Sequence, residues 1–336
     1  MDTTAGVRNT IYIIKILSLL LLTIAAGVGS LLIGSVSVSL HDLYTLALGA
    51  NSNELVKQII YEVRLPRVLL AIAVGGGLSV SGAVYQAILI NPLAEPYILG
   101  ISSGAAFGAV LSFLLGAGFL GTQLLSFTGA VSVIILVFLL GRRFGELEPN
   151  VLLLSGVMVG AFFSASILMM TTFLNDSLRN AVFWLMGQLS LADPKSVFII
   201  LPVTIVISLI LMLNSQKFNV LALGSETASH LGINTMLLKN STYILTSILV
   251  GTLVSVSGII GFVGLLVPHL CRMIFGVDNR IVLPASFLIG ATYLTLADTV
   301  ARTMISPAEI PVGAVTAILG APIFVYLLRK RFKIIK

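Results

Sequence analysis

Ten runs of apolar residues fill most of this chain, at about 11–34, 65–89, 97–116, 119–140, 150–174, 197–213, 239–260, 262–275, 281–304 and 311–328. A hydrocarbon layer of about 30 Å takes about 20 helical residues to cross. The runs are continuous rather than alternating, which predicts helices and not a β-barrel, each satisfying its backbone polar groups within itself. Composition agrees, because only 10% of the 336 residues are charged, against about 25% in soluble domains. The expected fold is an all-α polytopic membrane protein, with residues 1–336 forming a single transmembrane domain. The first run is too long for a signal-peptide core and leads into further spans, so it reads as a retained helix. A half-span at about 181–187 follows the polar break Asn175-Asp176-Ser177.

Ten crossings put both termini on one side, and charge says which. With the termini cytoplasmic, thirteen of the nineteen Lys and Arg fall inside, and only Lys57, Arg64, Arg67, Arg179, Lys195 and Arg302 fall outside. The positive-inside rule supports that orientation. The basic tail from Arg329 to Lys336 would lie against an anionic inner leaflet. The net charge of +6 thus reports topology and gives no sign of nucleic-acid binding. A single cysteine, Cys271, excludes an internal disulfide, and His41, His230 and His269 show no metal-ligand spacing.

A repeat is visible at an offset of 176 residues. Ser79-Val80-Ser81-Gly82 recurs as Ser255-Val256-Ser257-Gly258, Gly75 matches Gly251, Pro92 matches Pro268 and Gly100 matches Gly276; twelve of the 32 positions from 69 to 100 are identical. The copies fall on the second and seventh runs, which cross in opposite directions. Inverted repeats are a recurring transporter design, with the route at the repeat interface.

The second run carries Gly75, Gly76 and Gly77 together, two serines, Gly82 and Gln86. Lipid gives no reason for such residues, whereas close helix packing does. It is framed by Arg64 and Arg67 and by the turn Asn91-Pro92-Leu93-Ala94-Glu95-Pro96. The stretch 214–238 is too polar at its centre to span, and Gly224 followed by Ser225 and Glu226 reads as a helix stop and a restart. No G-x-x-x-x-G-K-[ST] phosphate loop occurs, so the chain should not hydrolyse ATP itself.

These stretches, together with Leu185-Met186-Gly187, GFVGLLVPHLCR (261–272), ADTVAR (297–302) and PAEIPVGAVTAILGAPIFVYLL (307–328), resemble the permease subunits of binding-protein-dependent ABC importers for iron siderophores, haem and cobalamin. The resemblance covers about residues 60–330. It implies a type II ABC importer permease fold and a homodimer in the cytoplasmic (inner) membrane, with the route on its two-fold axis. Two ATP-binding cassette subunits would dock below and a substrate-binding protein above. This chain would hold no cofactor, because ATP and Mg belong to the partner ATPase. In this reading 214–238 is the coupling segment, with Leu223, Gly224, Glu226, Ala228, Leu231 and Gly232 serving the ATPase contact. Arg64, Arg67 and Arg302 match positions that receive acidic residues of the binding protein, with anchoring of a helix end as the alternative for the first two. A ferric siderophore leads as cargo, with cobalamin and haem next. Gln188-Leu189-Ser190 departs from the family's small residues at that point, which bears on the cargo.

Two further readings come from the residues alone. The fifth run is the best candidate for lining the route, with Ser164, Thr171 and Thr172 as polar points and Met169 and Met170 as an adaptable gate; ordinary packing explains the same residues. Asp298 and Arg302 stand four apart in the acid-first order, which predicts a structural ion pair. An ion-coupled secondary transporter would also show an inverted repeat and an intramembrane Asp, but would not need the polar segment. An intramembrane enzyme would need a Ser/His dyad, an Asp pair or HExxH, and none is placed on facing helices.

Overall fold

In the computed structural model, residues 3–34, 36, 38–48, 53–143, 146–190 and 192–334 are described. Lys336 of the basic tail and residues 49–52 of the first loop lie outside them. The ten apolar runs become ten helices: α1 (Thr3–Leu32), α4 (Leu65–Ile88), α5 (Ile101–Leu114), α6 (Gly118–Leu140), α7 (Pro149–Thr171), α9 (Pro194–Leu213), α12 (Thr235–Ser257), α13 (Val263–Phe275), α14 (Asn279–Thr303) and α15 (Val312–Ile334). Between them lie α2 (Leu40–Ala47) and α3 (Glu54–Gln58), the half-span α8 (Leu178–Leu185), and α10 (Ser215–Leu221) with α11 (Ser225–His230). A π-helical turn, Ile59–Arg64, runs α3 into α4. A two-residue antiparallel ladder, Arg142–Arg143 with Glu146–Leu147, closes the turn between α6 and α7.

Among the described residues seven segments are long and apolar enough to cross a bilayer, whereas Ile101–Leu114, Val263–Phe275 and Val312–Leu327 are shorter. A helix of 13 or 14 residues covers only about 20 Å at 1.5 Å per residue. For α5 and α13 the remaining depth is taken by lead-ins that are not α-helical, residues 91–100 and 258–262. The third span was expected from residue 97, but Pro96–Leu99 forms a 3-10 turn and the α-helix starts after Gly100. Such backbone is tolerated at membrane depth when protein surrounds it. The two lead-ins meet where Tyr97 Oη accepts from Ile260 N at 3.3 Å, and a Cβ on Gly82 of α4 would overlap the Gly264 carbonyl at the start of α13.

Helix α4 is the axis of the bundle, buried along nearly its whole length. It packs antiparallel to α12, because Gly77 faces Leu253 while Tyr85 Oη and Ser247 Oγ are hydrogen-bonded at 2.6 Å. The repeat is visible in the packing. Gly75 on α4 meets Gly290 of α14, and its counterpart Gly251 on α12 meets Ala130 of α6. The fixed offset fails beyond Gly82. Helix α12 ends at Ser257, whereas the matching Ser81 lies seven residues before the end of α4. Pro92 therefore sits in a turn and Pro268 inside α13, and those two are not structural counterparts.

Candidate functional site

Polar residues collect at the two ends of the bundle. At one end α10 and α11 form the knob expected from 214–238. Gly224 breaks the two helices at φ 107° and ψ 148°, a conformation that a residue with a Cβ adopts only at a cost. Phe218, Leu221 and Ala228 are buried beneath the knob. Lys239, itself buried in α12, donates from Nζ to Ser225 Oγ at 2.8 Å and ties α11 down. Gly232 turns the chain at φ 83°, and Asn234 then caps α12 by accepting from Leu237 N at 2.9 Å. Leu223 (67% exposed), Leu231 (64%) and Glu226 project outward from this backing. The expected coupling residues are thus together, with one correction: Ala228 is packed inside and supports the knob without offering it a contact surface.

Beside the knob lies a cleft of about 490 Å³ between the ends of α4, α10 and the α13–α14 turn. Asn219, Arg272, Asp278 and Asn279 line it, and none of them was singled out from sequence. The only local signal was a polar Asn inside the coupling segment and an Asp-Asn pair before α14. Asp278 accepts from Arg280 at 2.7 and 3.0 Å and from Asn219 at 2.7 Å. The Arg280 side-chain bonds, and then the backbone and Asn219 bonds, pull its carboxyl down to about 2.

At the opposite end the expected pairing is corrected. Asp298 is held by Arg67, not Arg302: Arg67 Nε donates to Oδ1 and Oδ2 at 3.1 and 2.9 Å, and Nη2 donates to Oδ1 at 2.9 Å. Arg67 Nη1 reaches the half-exposed Glu309 at 2.9 and 3.0 Å. Four residues of helix turn by about 400°, so Asp298 and Arg302 share a broad face without pointing at one target. Asp298 faces α4, whereas Arg302 donates from Nη2 to the carbonyl and hydroxyl of Ser30 on α1. Arg64 is turned onto the carbonyls of Leu31, Leu32 and Val36. Arg64, Arg67 and Arg302 are only 4%, 6% and 8% exposed. They gather at one end as expected, but they are engaged within the chain and are not the open cluster on which a docking role rested.

The expected gate residues lie on the C-terminal half of α7 and at its cap. Met169 is 66% exposed, and Thr171 and Thr172 donate to the carbonyls of Leu168 and Met169 in their own helix at 2.7 Å. Ser164 is exposed, and Met170 packs on the small cluster of Val110, Leu174 and Ala181. None of the five lines a cavity that opens near the same end of the bundle. That cavity, about 720 Å³ at the Arg67 end, lies between the α5–α6 turn, α8 and the end of α12, with Gln123, Arg179, Trp184 and Gln188 in its walls. Gln188, the departure noted in the sequence, is fixed there by its N–H to the Ser257 carbonyl at 2.8 Å.

Comparison with known proteins follows the same lines. The FecCD transport family matches residues 20–330. The hemin transport system permease protein HmuU of Yersinia pestis is 37% identical over 329 residues, covering 93% of this chain and 94% of its own length. The molybdate import system permease protein MolB of Haemophilus influenzae is 38% identical over 319 residues, with 93% and 94% covered. The vitamin B12 import system permease protein BtuC of Salmonella typhi is 40% identical over 278 residues, with 81% and 83% covered. Among solved structures, an inward-facing ABC transporter of metal-chelate type superposes with a TM-score of 0.85 at 36% identity, covering 94% of this chain and 99% of that one.

Proposed function

Because the chain belongs to the FecCD transport family and is an ABC importer permease, we propose that it forms the membrane route for a metal complex, with a ferric siderophore as its cargo. The observation that carries the coupling half of this reading is the knob. A rigidly backed pair of short helices presents Leu223, Leu231 and Glu226 outward, as a surface that must push and pull on a partner requires. An ATPase subunit grips this knob at the cytoplasmic face, and both termini lie on that side of the inner membrane. A binding protein meets the Arg67 end. Two copies of the chain face each other across a two-fold axis with α7 beside it, and ATP-driven closure of the motors switches the route from one side to the other.

The cargo assignment rests on the walls. Among the described residues no group of three His, Cys, Asp or Glu could hold a bare ion. A chelate that brings its own donors needs only a passage. HmuU, BtuC and MolB carry the names of hemin, vitamin B12 and molybdate, so membership alone does not choose among cargoes.

The test is reconstitution in proteoliposomes with the ATPase subunit and binding protein that copurify with the chain. ATP-dependent uptake of a radiolabelled ferric siderophore, exceeding that of hemin, cobalamin and molybdate, is expected. Preference for one of the other three overturns the cargo, and the absence of any copurifying ATPase overturns the coupling reading.

A further inference from the structure

We propose that Asn219, Asn279 and Arg272 form a hydrogen-bonded relay that ties the coupling knob to α4, so that displacement of α10 is delivered along α4 to the opposite end of the bundle. The proposal rests on the coupling reading above and names positioning residues for it.

The relay starts on α10. Asn219 Oδ1 accepts from both the backbone N–H and the side-chain Nδ2 of Asn279, at 2.8 and 2.9 Å. Its own Nδ2 donates to Asp278 Oδ1 at 2.7 Å. One side chain thus uses both ends of its amide to hold the cap and first residue of α14. Asn279, only 3% exposed, then presents Oδ1 to Arg272 Nη1 at 3.3 Å. Arg272, near the end of α13, donates from Nη2 to the Ala83 carbonyl on α4 at 3.0 Å and from Nε to Gln86 Oε1 at 3.4 Å. Gln86 finally donates to the Ala94 carbonyl at 3.3 Å, reaching the turn that leads into α5.

Three features make this a transmission path and not only local packing. A guanidinium is planar and offers its donors in a fixed fork, so Arg272 fixes Ala83, Gln86 and Asn279 relative to one another in direction as well as distance. The Ala83 carbonyl is a helical backbone group, so the relay grips the body of α4 and not a swinging side chain. Helices α4 and α14 are then locked twice more, by the apposition of Gly75 and Gly290 and by the Arg67–Asp298 fork at the far end. A packed pair held at both ends and in the middle moves as a unit. The length of α4, about 36 Å for 24 residues, carries a displacement of the knob to Arg67 and Glu309.

The experiment uses the complete complex of the chain with its ATPase in nanodiscs. Spin labels at Val63 and Phe173, both exposed and both at the Arg67 end, report the separation of the α4 approach from α7. In the wild type, trapping the ATPase with ATP and vanadate shifts this distance. Asn219→Ala, at a half-exposed position, and Asn279→Leu are expected to keep ATP hydrolysis while the shifted population falls roughly threefold or more. Asn279→Asp keeps the acceptor for Arg272 and the backbone N–H for Asn219 but loses the Nδ2 donor, so it is expected to recover part of the shift that Asn279→Leu loses. Combining Asn219→Ala with Arg272→Gln adds nothing further, because one path is already cut. A full shift in Asn219→Ala, or losses that simply add in the double variant, overturns the relay while leaving the coupling reading intact. A wild type that recruits no ATPase overturns both.

Discussion

Arg67 and Asp298, 231 residues apart, are joined by three hydrogen bonds of 2.9–3.1 Å inside the bundle, where both side chains are almost fully buried. The pair fastens α4 to α14 at the end remote from the coupling knob. Removing Arg67 strands the buried Asp298 charge at a cost of about 3–5 kcal/mol, removing Asp298 leaves Arg67 with Glu309 alone, and replacing both with apolar residues of similar volume is nearly neutral. Thermal stability in detergent should therefore fall sharply for Arg67→Met or Asp298→Leu alone and recover in the double variant. Recovery stops short of the wild type, because Arg67 also serves Glu309. Equal losses in the single and double variants would show that the pair carries no such coupling.

The two copies of the repeat should respond differently to the same change. A Cβ at Gly75 would lie 2.3 Å from the Gly290 carbonyl, and backbone cannot yield as a side chain can. At Gly251 the nearest atom is the Ala130 Cβ at 3.2 Å. Gly75→Ala should lower stability by about 1–3 kcal/mol through overpacking. Gly251→Ala should cost less, about 1 kcal/mol or below, because the Ala130 contact asks for only a small shift and alanine is favoured over glycine in a helix interior. Folded yield on size exclusion and the midpoint of thermal unfolding measure both.

The helices were legible in the sequence because lipid imposes one demand, a long apolar run, and it is read locally. The knob was legible for the converse reason: Gly224-Ser225-Glu226 is too polar to sit in lipid. The partner of Asp298 was not legible. Spacing within one helix pointed to Arg302, but the choice between Arg67 and Arg302 depends on how α14 is rotated against α4 and α1, which no local pattern encodes. Asn219 and Asn279 stand 60 residues apart for the same reason. The start of α5 is not legible, because Pro96 permits a 3-10 turn inside an apolar run, and protein rather than lipid surrounds that turn.

Asp278 gives the α10 end a pH dependence of known sign. Its carboxyl is depressed to about 2 by bonds from Arg280 and Asn219, so the ionised form is favoured in the folded state. A depressed folded value contributes stability that is complete above the unfolded value, near 3.8, and is lost as pH falls through about 2. Wild type should exceed Asp278→Asn in thermal midpoint at neutral pH, and the gap should close between about pH 4 and 2. A gap that stays constant over that range would show that ionisation of Asp278 does not account for the difference, since asparagine caps α14 as well as aspartate does.

The outward surface of the knob should be separable from its foundation. Glu226 is exposed on α11, so Glu226→Arg is expected to change stability by no more than about 0.5 kcal/mol. Leu223→Asp and Leu231→Asp remove apolar area that faces away from the bundle, with a similarly small effect on folding. All three should leave membrane abundance normal and abolish ATP-driven uptake, because the contact with the motor is lost. Ala228→Leu is the contrasting case. It forces bulk into a fully buried position beneath α11 and should lower folded yield before function is reached. Measuring abundance by blot and uptake in the same vesicles separates the two classes. Full transport by Glu226→Arg together with Leu223→Asp would remove this knob from the energy-coupling path, however well its fold agrees with that role.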